Sequence, residues 1–324
     1  VKRFVALVVA SCLWSLLGVG TARAEGRSPP VSDVARREAL SGAPKAPGPR
    51  KVERREPAVE WNPRWAKFRT WEFVLTAAQG VAALAAQGIP GGPRWTQHNG
   101  FDDAARTALR AHSLEGARTA RDISDAGLVL LVNQRLVDDV FVAWWYHGKG
   151  SVAWQMSLID AETLSFATAV NSIVAGAVGR QRPYAETTCN RPIEKQTANC
   201  TGANRYRSFF SGHTTASFTL AGLTCMHHAY LPLYQNRVAD GAACAVTMTA
   251  AATVGMMRVV SDQHYLSDVL VGAAFGTASG LGLPWLLHYR GGGAVEESDA
   301  PKKAPAITAT VLPAPNGIFV MGSF

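Results

Sequence analysis

The sequence predicts an all-α protein: a six-helix core bundle with its active site at the helix ends, preceded by a signal peptide and a disordered linker. Three observations carry this. Apolar residues make up 48% of the 324 and charged residues 17%, enough to bury a sizeable core. Between about residues 71 and 289 the chain falls into long runs of Ala, Leu, Met and Val, with Gly and Pro mostly at their ends. Strand-like alternation stands out in the closing "GIFVMGSF", which is one strand and not a barrel.

Lys2 and Arg3, an apolar run from Phe4 to about Val19, and small residues at Ala22 and Ala24 read as an export signal over residues 1–24. An uncleaved anchor helix is the competing reading. Loss of that segment, with Lys2, Arg3 and Arg23, takes the net charge from +8 to +5. Residues 25–70 are rich in Pro, Arg and Glu and read as a linker. Its "RKVERR" cluster suits weak contact with an anionic membrane surface better than nucleic acid. Helical runs are expected at roughly 71–88, 124–146, 152–178, 212–233, 239–257 and 265–289, with a shorter helix near 101–122. Residues 71–290 thus form the helical domain, and 291–324, rich in Gly, Pro and Ala, a flexible tail. Cys189 and Cys200 flank the polar loop "CNRPIEKQTANC" and are expected to pair in an oxidising compartment. Cys225 and Cys244, inside apolar runs, read as buried thiols.

The runs are long enough to cross a bilayer. Yet Arg135, Asp138, Asp139, Asp160, Glu162, His227 and His228 fall within them, and charge at mid-membrane depth is costly. The mean hydropathy of +0.03 is likewise ordinary for a soluble protein. These points favour an exported, periplasmic helical globule, with membrane association as the alternative.

Three polar stretches stand at helix ends: "GRQRPY" with Arg180 and Arg182, "FSGH" with Ser211, Gly212 and His213, and "RVVSDQHYLSD" with Arg258, His264 and Asp268. Arginines offer planar forks to phosphate oxygens. Ser-Gly before a helix leaves backbone N–H groups facing an anion. His264 and Asp268, four apart, share a helix face, so the carboxylate can orient the imidazole. Each feature alone is commonly structural. Together they suggest phosphoryl transfer through a phosphohistidine, with the arginines neutralising charge and no metal required. Asp102-Asp103 and Asp138-Asp139 do not read as ligand pairs, because neighbouring helical carboxylates diverge and no His stands at ligand spacing.

At these residues the chain resembles the phosphatidic acid phosphatase type 2 / haloperoxidase superfamily, whose pattern is Lys-x6-Arg-Pro, Pro-Ser-Gly-His and Ser-Arg-x5-His-x3-Asp. Arg182-Pro183, Ser211-Gly212-His213 and Arg258, His264 and Asp268 match it; Phe210 and Met257 depart from it, and Ala175 stands where the lysine would fall. The resemblance implies His264 as nucleophile, Asp268 as its orienter and His213 as proton donor to the leaving alcohol. Arg182, Arg258 and the N–H groups around Ser211 and Gly212 would hold the phosphate, with Arg180 as a substitute for the lysine. The activity implied is a metal-independent acid or phosphatidate-type phosphatase acting on phosphorylated lipids or small phosphomonoesters. The same scaffold supports a vanadate-dependent haloperoxidase, with vanadate on His264, or an impaired protein that binds phosphorylated head groups.

Overall fold

The computed structural model describes residues 58–89, 92–97, 99–189, 198–291, 308–314 and 317–323. The expected signal peptide, the linker up to residue 57, the middle of the Cys189–Cys200 loop and residues 292–307 of the tail lie outside the described residues. The helical domain belongs to one compact unit, residues 55–324.

Helix α1 spans Thr70–Gln87, α2 Gly100–Leu109 and α3 Leu114–Leu136. The last runs on without a break as a π-helical segment, Val137–Tyr146. Then come α4 (Gly150–Val178), α5 (Gly212–Tyr230), α6 (Arg237–Val260) and α7 (Leu266–Leu287). Caps fix the starts: Asn99, Ser113, Ser211 and Asn236 each accept a backbone N–H of the first turn. Gly179, at φ 61°, ends α4 in the left-handed conformation that glycine tolerates. The boundary expected near residue 124 is displaced. The polar stretch after Ser113 already belongs to α3, so the long helix starts at Leu114 and the short one stops at Leu109.

Two further expectations change. Residues 58–69, placed in the disordered linker, bury Val59 and Trp65 against Met156, Leu231, Leu233 and Tyr289. The tail is not wholly irregular: β1 (Thr308–Ala314) and β2 (Gly317–Ser323) form an antiparallel hairpin with Thr308 opposite Ser323. Apart from that hairpin, the described residues are all-α.

Helices α5 and α7 run parallel in close contact. A Cβ on Gly276 would lie 2.4 Å from the Thr215 carbonyl oxygen, and one on Gly280 2.4 Å from that of Thr219. Only glycine permits such an approach. We expect Gly276→Val to cost about 1–3 kcal/mol or more through forced separation, read as a lowered midpoint of thermal unfolding. A midpoint unchanged within a degree would contradict the close packing.

The charges inside the helices face one another. Arg135 donates to Asp138 and Asp139 at 2.9 Å each and to Asp160 at 2.8 Å. His227 pairs with Asp160 at 2.9 Å, and His228 with Asp240 at 2.6 Å. Outward faces carry Val74, Leu84, Trp144, Trp145, Val246 and Leu270 instead, all exposed. Helices α4, α6 and α7 are each long and apolar enough to cross a membrane. These internal charges therefore do not bar membrane contact, because they point inward.

Cys189 and Cys200 are disulfide-bonded, with Cα atoms 5.5 Å apart. Cys225 and Cys244 are bonded too, and are not the free thiols expected. The pairing of α5 with α6 brings their Cα atoms to 4.5 Å.

Candidate active site

The C-terminal ends of α4 and α6 meet the N-terminal ends of α5 and α7, and the three polar stretches gather there. His264 lies in the turn before α7 and is 2% exposed. Its Nδ1 faces the Ser208 carbonyl oxygen at 2.8 Å. A carbonyl only accepts, so Nδ1 carries the hydrogen and Nε2 keeps its lone pair. That bare nitrogen stands 3.2 Å from Arg182 Nη1. Burial first, then the Arg182 charge, pushes the imidazole pKa down to about 3, so the ring is neutral in all but strong acid.

The structure revises the role expected of Asp268. Its Oδ2 lies 3.8 Å from His264 Nδ1, too far for a hydrogen bond. Instead Oδ2 accepts the Ser208 hydroxyl at 2.6 Å and the Tyr265 N–H at 3.0 Å. Asp268 thus holds Ser208, and Ser208 holds the imidazole.

Arg180 is corrected as well. It is 1% exposed, and two of its guanidinium nitrogens are taken by carboxylates. Its guanidinium donates to Asp268 at 2.5 Å and to Asp102 at 2.6 Å, between the rings of Trp95 and Tyr265. A neutralising partner for a buried carboxylate is what this arginine supplies. Asp102 also accepts both the N–H and the hydroxyl of Ser267.

Ser211 is sealed inside. Its N–H donates to the Asp268 carbonyl at 3.1 Å, and its hydroxyl oxygen accepts from Thr214 at 2.8 Å. The N–H groups of Gly212 and His213, the first two residues of α5, are those the helix geometry leaves for an anion. Gly212 is required by Asn171, whose Oδ1 would lie 2.9 Å from an added Cβ.

Arg258 donates to Asp125 Oδ1 at 3.0 Å, and His213 Nε2 lies 3.0 Å from the same oxygen. Burial, then the Arg258 charge, pushes the His213 pKa down to about 4, while Asp125 opposes that shift. In the proton-donor role that the resemblance implies, His213 loses its proton as pH rises, so activity on poor leaving groups should fall on the alkaline side. Asp125→Asn removes the carboxylate that favours the imidazolium. The falling limb of kcat/KM should therefore move to lower pH, with a smaller change for a nitrophenyl ester whose leaving group needs no proton. An unmoved limb would take His213 out of that role.

Ala175 is buried and offers no charge. Arg207, in the neighbouring loop, does not replace the lysine; it donates to the carbonyl oxygens of Ala86 at 3.0 Å and Ser172 at 2.8 Å. Beside the site, a cavity of about 570 Å³ is lined by Arg110, His112, Arg118, Arg121, Tyr184 and Gln263. Gln263 adjoins Arg182 at 3.3 Å. Asp102, Asp125 and Ser208 escape sequence reading: each is an ordinary polar residue far in sequence from the groups it holds.

Residues 158–291, which carry all three polar stretches, match the model of the PAP2 superfamily. A crystal structure described as the first transmembrane PAP2 type phosphatidylglycerolphosphate phosphatase from Bacillus subtilis is similar at 16% identity and a TM-score of 0.42. The similarity covers 65% of this chain and 93% of that one. No curated protein matches the chain.

Proposed function

We propose, for a chain whose residues 158–291 match the PAP2 superfamily, a membrane-associated phosphatase that hydrolyses lipid phosphate monoesters through a phosphohistidine, without a catalytic metal. The observation that carries the reading is the bare Nε2 of His264, fixed by Ser208 and set against Arg182.

Nε2 of His264 attacks phosphorus, and the bond from phosphorus to the ester oxygen breaks. His213 gives its proton to the departing alkoxide. Water then loses a proton to His213 and attacks the phosphorus on His264, which frees the nitrogen and releases phosphate. Arg182, Arg258 and the first N–H groups of α5 balance the phosphoryl charge throughout. The apolar outer faces of α4, α6 and α7 support a substrate delivered from a bilayer, and the arginine-lined cavity supports a polar head group.

The test is phosphate release by the detergent-purified full chain from phosphatidic acid and from a soluble monoester, with chelator present. Quenching with labelled substrate should trap an acid-labile, alkali-stable phosphoryl group on the protein. Turnover with no such label would overturn the phosphohistidine, and no turnover by folded protein would overturn the phosphatase.

A further inference from the structure

We propose that Glu72, Glu162 and His288 bind one first-row divalent cation, of the Zn²⁺ or Mn²⁺ type, at the end of the bundle away from the phosphate cradle. Glu72 lies in the first turn of α1, and His288 follows the last turn of α7. Glu162 is in α4, about 24 Å along the axis from the helix end that serves the cradle, at 1.5 Å per residue.

The three residues are 0%, 2% and 1% exposed. One ligand atom from each lies within 4.8 Å of the other two. Two carboxylates sharing so small a dry space repel unless something positive lies between them. Arg69 answers only one of them, at 2.7 Å from Glu72 Oε1.

Hydrogen-bond accounting points the same way. His288 Nδ1 faces the Ala66 carbonyl oxygen at 3.2 Å, so that nitrogen carries the hydrogen. In the neutral ring, Nε2 then turns its lone pair on Glu162 Oε2, another acceptor, at 3.1 Å. Glu162 Oε1 has no hydrogen-bond partner among the described residues. An extra proton on His288 would settle the first contact and leave Oε1 orphaned. A cation settles both. Metal–ligand bonds of about 2.0–2.2 Å give tetrahedral edges of about 3.3–3.6 Å, close to the Nε2–Oε2 separation.

The surroundings are those of a held ligand set. Ala66 fixes the imidazole tautomer, Arg69 fixes Glu72, and the Phe68 ring stacks on His288 at 5.9 Å and 9°. Imidazole with carboxylates suits Zn²⁺ or Mn²⁺. The cation would tie α1, α4 and the end of α7 together.

The test uses untagged full-length protein in detergent, stripped with chelator and titrated with zinc chloride or manganese chloride. We expect one equivalent per chain, a higher unfolding temperature on binding, and affinity at least about tenfold weaker in Glu162→Gln and His288→Gln. Cobalt chloride should give d–d absorption typical of nitrogen and oxygen donors in the parent, a readout that stands even if a variant fails to fold. Folded parent that takes up none of the three metals would overturn the site in favour of a protonated His288–Glu162 pair. Equal uptake by folded variants would overturn it too.

Discussion

His264→Ala should reduce phosphate release by about 10⁴-fold or more in kcat, the scale of losing a covalent nucleophile. Its ring presents a lone pair against Arg182, and burial with the Arg182 charge holds its pKa well below the ordinary imidazole value, which keeps that lone pair unprotonated near neutral pH. Alanine also abandons the Ser208 carbonyl, so some loss of stability is expected beside the loss of rate. Folding is checked by thermal unfolding, and rate by phosphate release under saturating lipid phosphate. Residual activity within tenfold of the parent would remove His264 from the chemistry.

Asp268→Asn should lower kcat by about 10²–10⁴-fold even though the residue touches no reacting atom. Its two oxygens accept from Arg180, the Ser208 hydroxyl and the Tyr265 N–H. An amide cannot accept on both sides; its NH₂ would face a donor and displace either the arginine or Ser208. Displacing Ser208 frees the imidazole to rotate or change tautomer, an effect that costs about 10⁴-fold in a serine protease triad. Breaking a buried ion pair also costs about 3–5 kcal/mol. Asp102→Asn separates the two effects, since it removes the other Arg180 partner and leaves Ser208 held. Comparable destabilisation with a much smaller kcat loss in Asp102→Asn is the expected result. Equal kcat losses would make the Asp268 effect one of general stability.

Much of this was legible in the sequence. Helical runs, the polar stretches at their ends and the spacing of His264 from Asp268 depend on local periodicity, which one chain displays. Illegible features depend on what faces what. Arg180 and Arg182 lie two apart in one motif, yet one is buried between two aspartates and the other meets His264 Nε2. The ring nitrogen of His264 chose a carbonyl over the carboxylate that spacing suggested, because Ser208 offers its carbonyl to the ring and its hydroxyl to Asp268. Cys225 and Cys244 look like ordinary apolar positions until α5 and α6 are paired. Charges such as Arg135 and Asp160 read as hostile to a membrane only while their direction is unknown.

The glycine contact between α5 and α7 fixes how two parts of the site are held together. With Gly276 and Gly280 seated on the carbonyls of Thr215 and Thr219, the two helices interlock over successive turns. His264, in the turn before α7, and His213, at the start of α5, are therefore carried on one closely packed helix pair. Arg258, near the end of α6, is tied to that pair through the Cys225–Cys244 disulfide, whereas Arg182 follows the end of α4. Under the proposed chemistry, the alignment of His264 with His213 is then set by this one helix pair.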